Sequence, residues 1–132
     1  VLLEPTRIYV EPIIKLRHQY TVKKVVSGMA HITGGGIGGN VSRCLCDSVD
    51  ATINLNAWKI PAIFNFLQEH GNIETSEMFR VFNMGIGYVL IVRPSFADSI
   101  TSHLEQEGES PLVLGNITSG TGMIHLVDGD MK

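Results

Sequence analysis

The chain has 132 residues, of which 44% are apolar and 17% charged, a composition typical of one folded domain rather than of a disordered chain. Its formal net charge of −3 argues against general nucleic-acid binding, which favours concentrated basic surface. No apolar run approaches the ~20 residues with which a helix crosses a bilayer, so no membrane partner is expected.

The first half of the chain predicts one helix and two strands. After Pro12, apolar residues recur every three or four positions and predict a helix that ends near Tyr20. The β-branched apolar run at residues 25–32 predicts a buried strand. Residues 51–55 alternate between apolar and polar side chains and predict a second strand.

The second half predicts six further elements. In order they are two helices, a strand, a helix and two strands, at residues 61–71, 75–82, 87–92, 95–108, 112–117 and 123–127. The last two strands flank the turn sequence Ser119-Gly120-Thr121-Gly122 and so predict a closing β-hairpin. Together the elements predict an α+β fold with a mixed β-sheet and helices packed on it.

The two cysteines, Cys44 and Cys46, stand two positions apart and cannot cross-link distant segments. A single Cys-X-Cys is not a zinc quartet, and the histidines lack a metal-binding spacing. The sequence therefore predicts two reduced thiols, a cytoplasmic protein and no metal site.

Residues 31–40 read HITGGGIGGN and follow a predicted strand. Glycine costs roughly 0.5–1 kcal/mol relative to alanine in regular structure, so this cluster indicates a tight turn or a closely approaching ligand. Its GxGxxG pattern does not indicate a dinucleotide site, because the segment after Asn40 predicts barely one helical turn and position 56 is not acidic. A phosphate loop of the GxxxxGK type is excluded because Asn40 stands where lysine is required.

Two interpretations of the glycine cluster stay open on the residues alone. A glycine loop at a strand end, followed by Asn40 as an N-cap, directs backbone N–H groups at an anion. A strand-ending loop without a ligand fits equally well. A second polar segment, FNMGIG at residues 82–87, places Asn83 beside glycines that permit close backbone approach, although an ordinary helix-to-strand turn is the simpler interpretation.

Three motifs together resemble one enzyme family. LLEPTRIYV at 2–10, GMAHITGGG at 28–36 and FNMGIG at 82–87 occur in this order and at about this spacing in aminoimidazole ribonucleotide synthetases, also called phosphoribosylformylglycinamidine cyclo-ligases. The resemblance extends from Leu2 to about Ile117. It implies that residues 1–132 form the C-terminal domain, built of α/β/α layers, of a two-domain enzyme whose N-terminal ATP-binding domain is absent from this chain.

The resemblance also implies a reaction of de novo purine biosynthesis. The family uses ATP to activate the formyl oxygen of formylglycinamidine ribonucleotide, and ring closure then gives aminoimidazole ribonucleotide, phosphate and ADP. ATP and Mg²⁺ would bind mainly to the missing domain, so the isolated chain is expected to be inactive. The implied partners are that N-terminal domain, the ribonucleotide substrate and a second copy in a homodimer.

Site residues follow from the positions of the motifs. His31 is implied as a polariser or proton donor, and Asn83, beside Gly85, as a catalytic residue in the facing wall of the cleft. Substrate or phosphate binding is implied for Thr33, Gly34, Gly35, Gly36, Asn40, Arg43 and Gly85.

One departure stands out within the matched motifs. The family continues its loop as GGG-x-x-EN-x-PR, whereas Gly39 here replaces the glutamate and Ser42 the proline. The missing carboxylate predicts a more mobile loop.

Two alternatives to the cyclo-ligase function remain. The chain could belong to a related synthetase of formylglycinamidine ribonucleotide or selenophosphate, or it could be a non-catalytic phosphate-binding or assembly domain.

Overall fold

The computed structural model describes residues 3–128. Helices and strands are interspersed along this part of the chain. In order they are α1 (Val10–Gln19), β1 (Val26–His31), α2 (Gly36–Val41), β2 (Val49–Asn54), α3 (Ala62–Gly71), α4 (Thr75–Val81), β3 (Tyr88–Val92), α5 (Ala97–Gln106), β4 (Gly115–Ser119) and β5 (Ile124–Val127). All nine elements predicted from the sequence are present, and α2 is an additional one.

The strands form two small sheets. In the first, β1 and β3 pair antiparallel, so that His31 lies opposite Tyr88. In the second, β2 lies between β4 and β5 and runs antiparallel to β4 but parallel to β5. The second sheet is therefore mixed, and the predicted α+β class is confirmed.

The predicted hairpin of the last two strands is wrong. β4 and β5 lie on opposite edges of β2, and Ala51 of β2 is paired with both Ile117 and Ile124. The glycine-containing turn between them carries the chain across the end of β2. The turn residues suit a hairpin and a crossing connection equally well. They therefore do not reveal that β2 lies between β4 and β5.

Asp50 of β2 holds that crossing connection. Its Oδ1 accepts the N–H groups of Thr121 at 2.7 Å and Met123 at 2.8 Å, and its Oδ2 lies 3.0 Å from Nε2 of His125. The bond to His125 and the two backbone N–H groups lower the pKa of Asp50 to about 2. A Cβ at Gly120 would overlap this carboxylate, so only glycine fits beside it.

The Asp50→Asn variant is expected to be less stable at neutral pH and less sensitive to acid. The pKa of about 2 in the folded chain lies below the ~3.9 of an unfolded aspartate. The carboxylate therefore stabilises the fold above about pH 4, and this contribution is lost as the pH falls through about 2. Urea midpoints measured from about pH 5 to about pH 2 should fall more steeply for the unchanged chain than for Asp50→Asn.

Glu105→Gln is the control for that experiment, because Glu105 is an exposed carboxylate on α5. It should keep the pH slope of the unchanged chain. An Asp50→Asn variant with the same slope as the unchanged chain would contradict the role given to the carboxylate.

Hydrophobic cores cover both faces of the first sheet. On one face, the buried residues join this sheet to α2 and to the second sheet, and they are Ala30, Ile32, Ile37, Val41, Ala51, Ile53 and Ile86. On the other face, Leu16 of α1 and Ile100 and Leu104 of α5 pack beside Val25. The sheet thus lies between two layers, with its strand ends exposed at the edge.

The glycine cluster forms a short helix, which the sequence did not predict. Ile37 and Val41 are each 1% exposed, and burying these two side chains offsets the entropic cost of the glycines. Gly36 has a φ of 63° and packs so closely on α4 that a Cβ would overlap the Phe79 carbonyl oxygen. The glycine at this position therefore serves helix packing.

Candidate functional site

The end of β1 and the beginning of β3 lie at the same edge of the first sheet because these strands are antiparallel. Just beyond them, the Ile32 N–H donates to the Gly87 carbonyl at 2.9 Å. The HITGGG and FNMGIG segments are consequently neighbours in space, although they are far apart in the sequence.

A cleft of about 380 Å³ opens at this edge. Its walls are formed by Thr6, Arg7, Tyr9, His31, Ile32, Thr33, Asn83 and Gly87. The structure thus brings together three residues that the sequence singled out, His31, Thr33 and Asn83. It adds Thr6, Arg7 and Tyr9 from the segment that precedes α1.

His31 is exposed and forms a cluster of three rings with Tyr9 and Tyr88, which also contact each other with centroids 5.4 Å apart. Its imidazole makes an edge-to-face contact with Tyr9, with ring centroids 5.8 Å apart, and stacks on Tyr88 at 6.0 Å. Tyr9 in turn packs on Gly87, where a Cβ would overlap the tyrosine hydroxyl. These aromatic contacts hold the imidazole ring at the cleft wall.

The Asn83 turn is supported from outside the cleft. Asn83 Oδ1 accepts the N–H of Gly85 at 3.1 Å, and Met84 and Gly85 have φ values of 51° and 100°. Trp58 Nε1 donates to the Met84 carbonyl at 2.9 Å. A Cβ at Gly85 would lie 2.5 Å from Cδ of Pro61. Trp58 and Pro61 therefore shape the turn that presents Asn83.

The buried side chain of Asn40 contacts the backbone of residues 33–36. It is 5% exposed, and its Nδ2 donates to the Gly36 carbonyl at 2.8 Å. The carbonyl oxygens of Thr33 and Gly34 each lie 3.3 Å from the same nitrogen. Asn40 lies inside α2, whose N-cap is Gly35, so the prediction of Asn40 as the N-cap is wrong.

The chain matches the family model for the AIR synthase related protein, C-terminal domain, over residues 1–128. The chain belongs to this family. It is 48% identical over 123 residues to the phosphoribosylformylglycinamidine cyclo-ligase of Bacillus velezensis. The enzymes of the same name from Bacillus cereus strain G9842 and Bacillus thuringiensis are 45% and 46% identical over 122 residues.

Each of these matches covers 92% of this chain but 34% of the relative. The chain therefore spans about a third of the length of these curated relatives. The family resemblance seen in the three motifs is confirmed.

Several of the predicted binding residues lie outside the walls of the cleft. The Gly36 N–H donates to the Thr33 carbonyl at 3.2 Å, so it is already used within the chain. Gly34 and Gly35 form the exposed turn before α2, and Arg43 is exposed beyond that helix. Gly85 belongs to the Asn83 turn. Their binding roles stay predictions.

Gly39, where the domain departs from the family pattern, has room for a side chain. It is exposed, and no atom lies within 4 Å of a Cβ built there. The hydroxyl of Ser42, which replaces the family proline, donates to the Gly39 carbonyl at 3.2 Å. The family glutamate would therefore project away from the helix without a clash. The greater mobility of this segment stays a prediction.

Arg7, like Thr6 and Tyr9, is a cleft residue that sequence reasoning missed. Its Nη2 lies 2.9 Å from Oε2 of Glu109 and 3.3 Å from the Gly108 carbonyl, both just beyond α5. The signal in the sequence was the position of Arg7 within the motif LLEPTRIYV. Because Arg7 and Asn83 are distant in the chain, only the fold shows that they share a cleft.

The cysteines are free thiols. Burial raises the pKa of Cys44, whereas the hydrogen bond with Ser48 lowers that of Cys46. Between residues 3 and 128, no three His, Cys, Asp or Glu side chains are grouped so that they could hold a metal ion. In the same range, no helix is long and apolar enough to cross a membrane.

Proposed function

We propose that this chain is the C-terminal domain of an ATP-dependent phosphoribosylformylglycinamidine cyclo-ligase of cytoplasmic purine biosynthesis. The observation that carries the proposal is the cleft that gathers His31, Thr33 and Asn83 in a chain similar to enzymes of that name. The substrate would be formylglycinamidine ribonucleotide and the product aminoimidazole ribonucleotide. The full-length protein is expected to be a homodimer.

Bound ATP and Mg²⁺ would supply a phosphoryl group that makes the formyl oxygen a good leaving group. Residues 3–128 contain no group of three His, Cys, Asp or Glu side chains that would suit a metal ion. The site for both is proposed mainly on the N-terminal domain, which is expected to close over the cleft.

The chain's own contribution would be to orient the substrate and to move a proton. Thr33 offers a hydroxyl and Asn83 a side-chain amide to the polar groups of the ribonucleotide. Ring closure joins the amidine nitrogen to the formyl carbon, and that nitrogen must lose a proton. His31 is the cleft residue suited to accept it, because its imidazole is exposed and flanked by Tyr9 and Tyr88.

The test is an assay of aminoimidazole formation from substrate, ATP and Mg²⁺. The full-length protein should be active and should lose activity when ATP is omitted, and the 132-residue chain alone should be inactive. Activity in neither protein would contradict the cyclo-ligase proposal. Activity in the isolated chain would contradict the placement of the ATP site on the other domain.

The same full-length protein should be assayed for the synthesis of formylglycinamidine ribonucleotide from its formylglycinamide precursor, and of selenophosphate. Turnover in one of these reactions, without aminoimidazole formation, would indicate a related synthetase instead.

A further inference from the structure

The cleft has a basic side chain in its wall, in a chain that is negatively charged overall. The chain carries 13 acidic and 10 basic residues, yet of residues 3–128 those that line the cleft include Arg7 and no aspartate or glutamate. A neighbouring groove of about 530 Å³ shares Arg7 with the cleft and is also lined by Arg17. Arg7 is paired with Glu109 but is 54% exposed, so it can attract an anionic ligand into the cleft.

Arg7 is held in place with part of its hydrogen-bonding capacity unused. Its Nη2 binds Glu109 and the Gly108 carbonyl at the end of α5. An arginine side chain has five N–H donors in a fixed plane, and 54% of this side chain is exposed. Glu109 thus anchors the guanidinium through Nη2, and among residues 3–128 neither Nε nor Nη1 has a hydrogen-bond partner. Each of these nitrogens can donate a charge-assisted hydrogen bond to an oxygen of an anion such as phosphate.

Two neutral donors lie in the same cleft. The Thr33 hydroxyl comes from the segment after β1. Asn83 uses Oδ1 to accept the Gly85 N–H, which leaves its donor Nδ2 for another partner. The Gly36 N–H, by contrast, already binds Thr33. Donors for an anion therefore come from the side chains of three separate segments rather than from the glycine backbone alone.

We propose that Arg7, with Thr33 and Asn83, binds the phosphate monoester of the ribonucleotide substrate. This deepens the proposed function and rests on it. The phosphate of ATP has the same chemistry, so the experiment must distinguish the two sources.

The first test is steady-state kinetics of the full-length protein with Arg7→Gln. The KM for the ribonucleotide should rise by about 10- to 100-fold, since a charge-assisted hydrogen bond is lost, while the KM for ATP stays within about twofold. Arg17→Gln is the matched control, because Arg17 lines the neighbouring groove but not the cleft. A raised KM for ATP alone, or an unchanged KM for the ribonucleotide, would overturn the proposal.

The second test does not depend on turnover. Calorimetric titration of the full-length protein with ribose 5-phosphate, without ATP, should show affinity about tenfold or more weaker in Arg7→Gln than in Arg17→Gln. Ribose should bind equally weakly to both variants. Arg7→Lys keeps the positive charge beside Glu109 and should bind ribose 5-phosphate more tightly than Arg7→Gln does. Such a partial recovery would show that the weaker binding of Arg7→Gln is not caused by misfolding.

Failure of this inference differs from failure of the proposed function. An active cyclo-ligase whose two variants bind ribose 5-phosphate equally would overturn the role of Arg7 alone. A protein that binds ribose 5-phosphate through Arg7 but lacks cyclo-ligase activity would support the anion site and contradict the proposed reaction.

Discussion

Gly36→Ala should strongly destabilise the domain. Gly36 has a φ of 63°, and a Cβ there would overlap the Phe79 carbonyl oxygen of α4. Left-handed backbone strain of about 1–2 kcal/mol and overpacking of about 1–3 kcal/mol together predict a loss of about 2–5 kcal/mol in the free energy of unfolding. That is a large part of the roughly 5–15 kcal/mol by which domains are stable.

Two other glycines of α2 provide controls, measured by urea denaturation alongside Gly36→Ala. No atom lies within 4 Å of a Cβ built at Gly38 or Gly39. Gly38→Ala should therefore raise the free energy of unfolding by up to about 1 kcal/mol, because alanine loses less backbone entropy in a helix. Gly39→Glu should at least preserve stability while it restores the family's carboxylate. Equal effects of Gly36→Ala and Gly38→Ala would contradict the packing argument.

His31→Ala in the full-length protein should lower kcat/KM for aminoimidazole formation by about 10²–10⁴-fold, the usual contribution of a positioned acid or base. The imidazole lines the cleft and contacts both Tyr9 and Tyr88. Removing it takes away the group proposed to accept the proton of the amidine nitrogen. The pH dependence of kcat should change as well, which a purely structural role would not produce.

His18→Ala is the matched control, because His18 is exposed in the last turn of α1 and does not line the cleft. Its kcat/KM should equal that of the unchanged protein. If His31→Ala stayed within about twofold of that value, which corresponds to less than about 0.5 kcal/mol of transition-state stabilisation, the catalytic role would be rejected.

Periodicity predicted α1 and α5 well because each buries its own apolar stripe. Burial of Leu16 in α1 and of Ile100 and Leu104 in α5 matches the predicted helix faces. The apolar run of β3 likewise became a strand. In these segments, local preference and tertiary packing agree, so the sequence alone was sufficient.

Long-range packing explains what the sequence did not reveal. The helix α2 forms although glycine disfavours it, because Ile37 and Val41 become buried against distant strands. The separation of β4 from β5 depends on the position of β2, which no local signal encodes. For the site, motif position singled out His31 and Asn83, which line the same cleft, whereas Arg7 was recognised only from the fold.

The position of β2 between two late strands also bears on how the chain folds during synthesis. Asp50 and His125 lie 75 positions apart, so β2 leaves the ribosome well before either of its sheet partners exists. Pairings of such high contact order form slowly. We therefore expect the second sheet to assemble as one late event, with Ala51 and Ile53 open to chaperones until the strands on both sides have emerged.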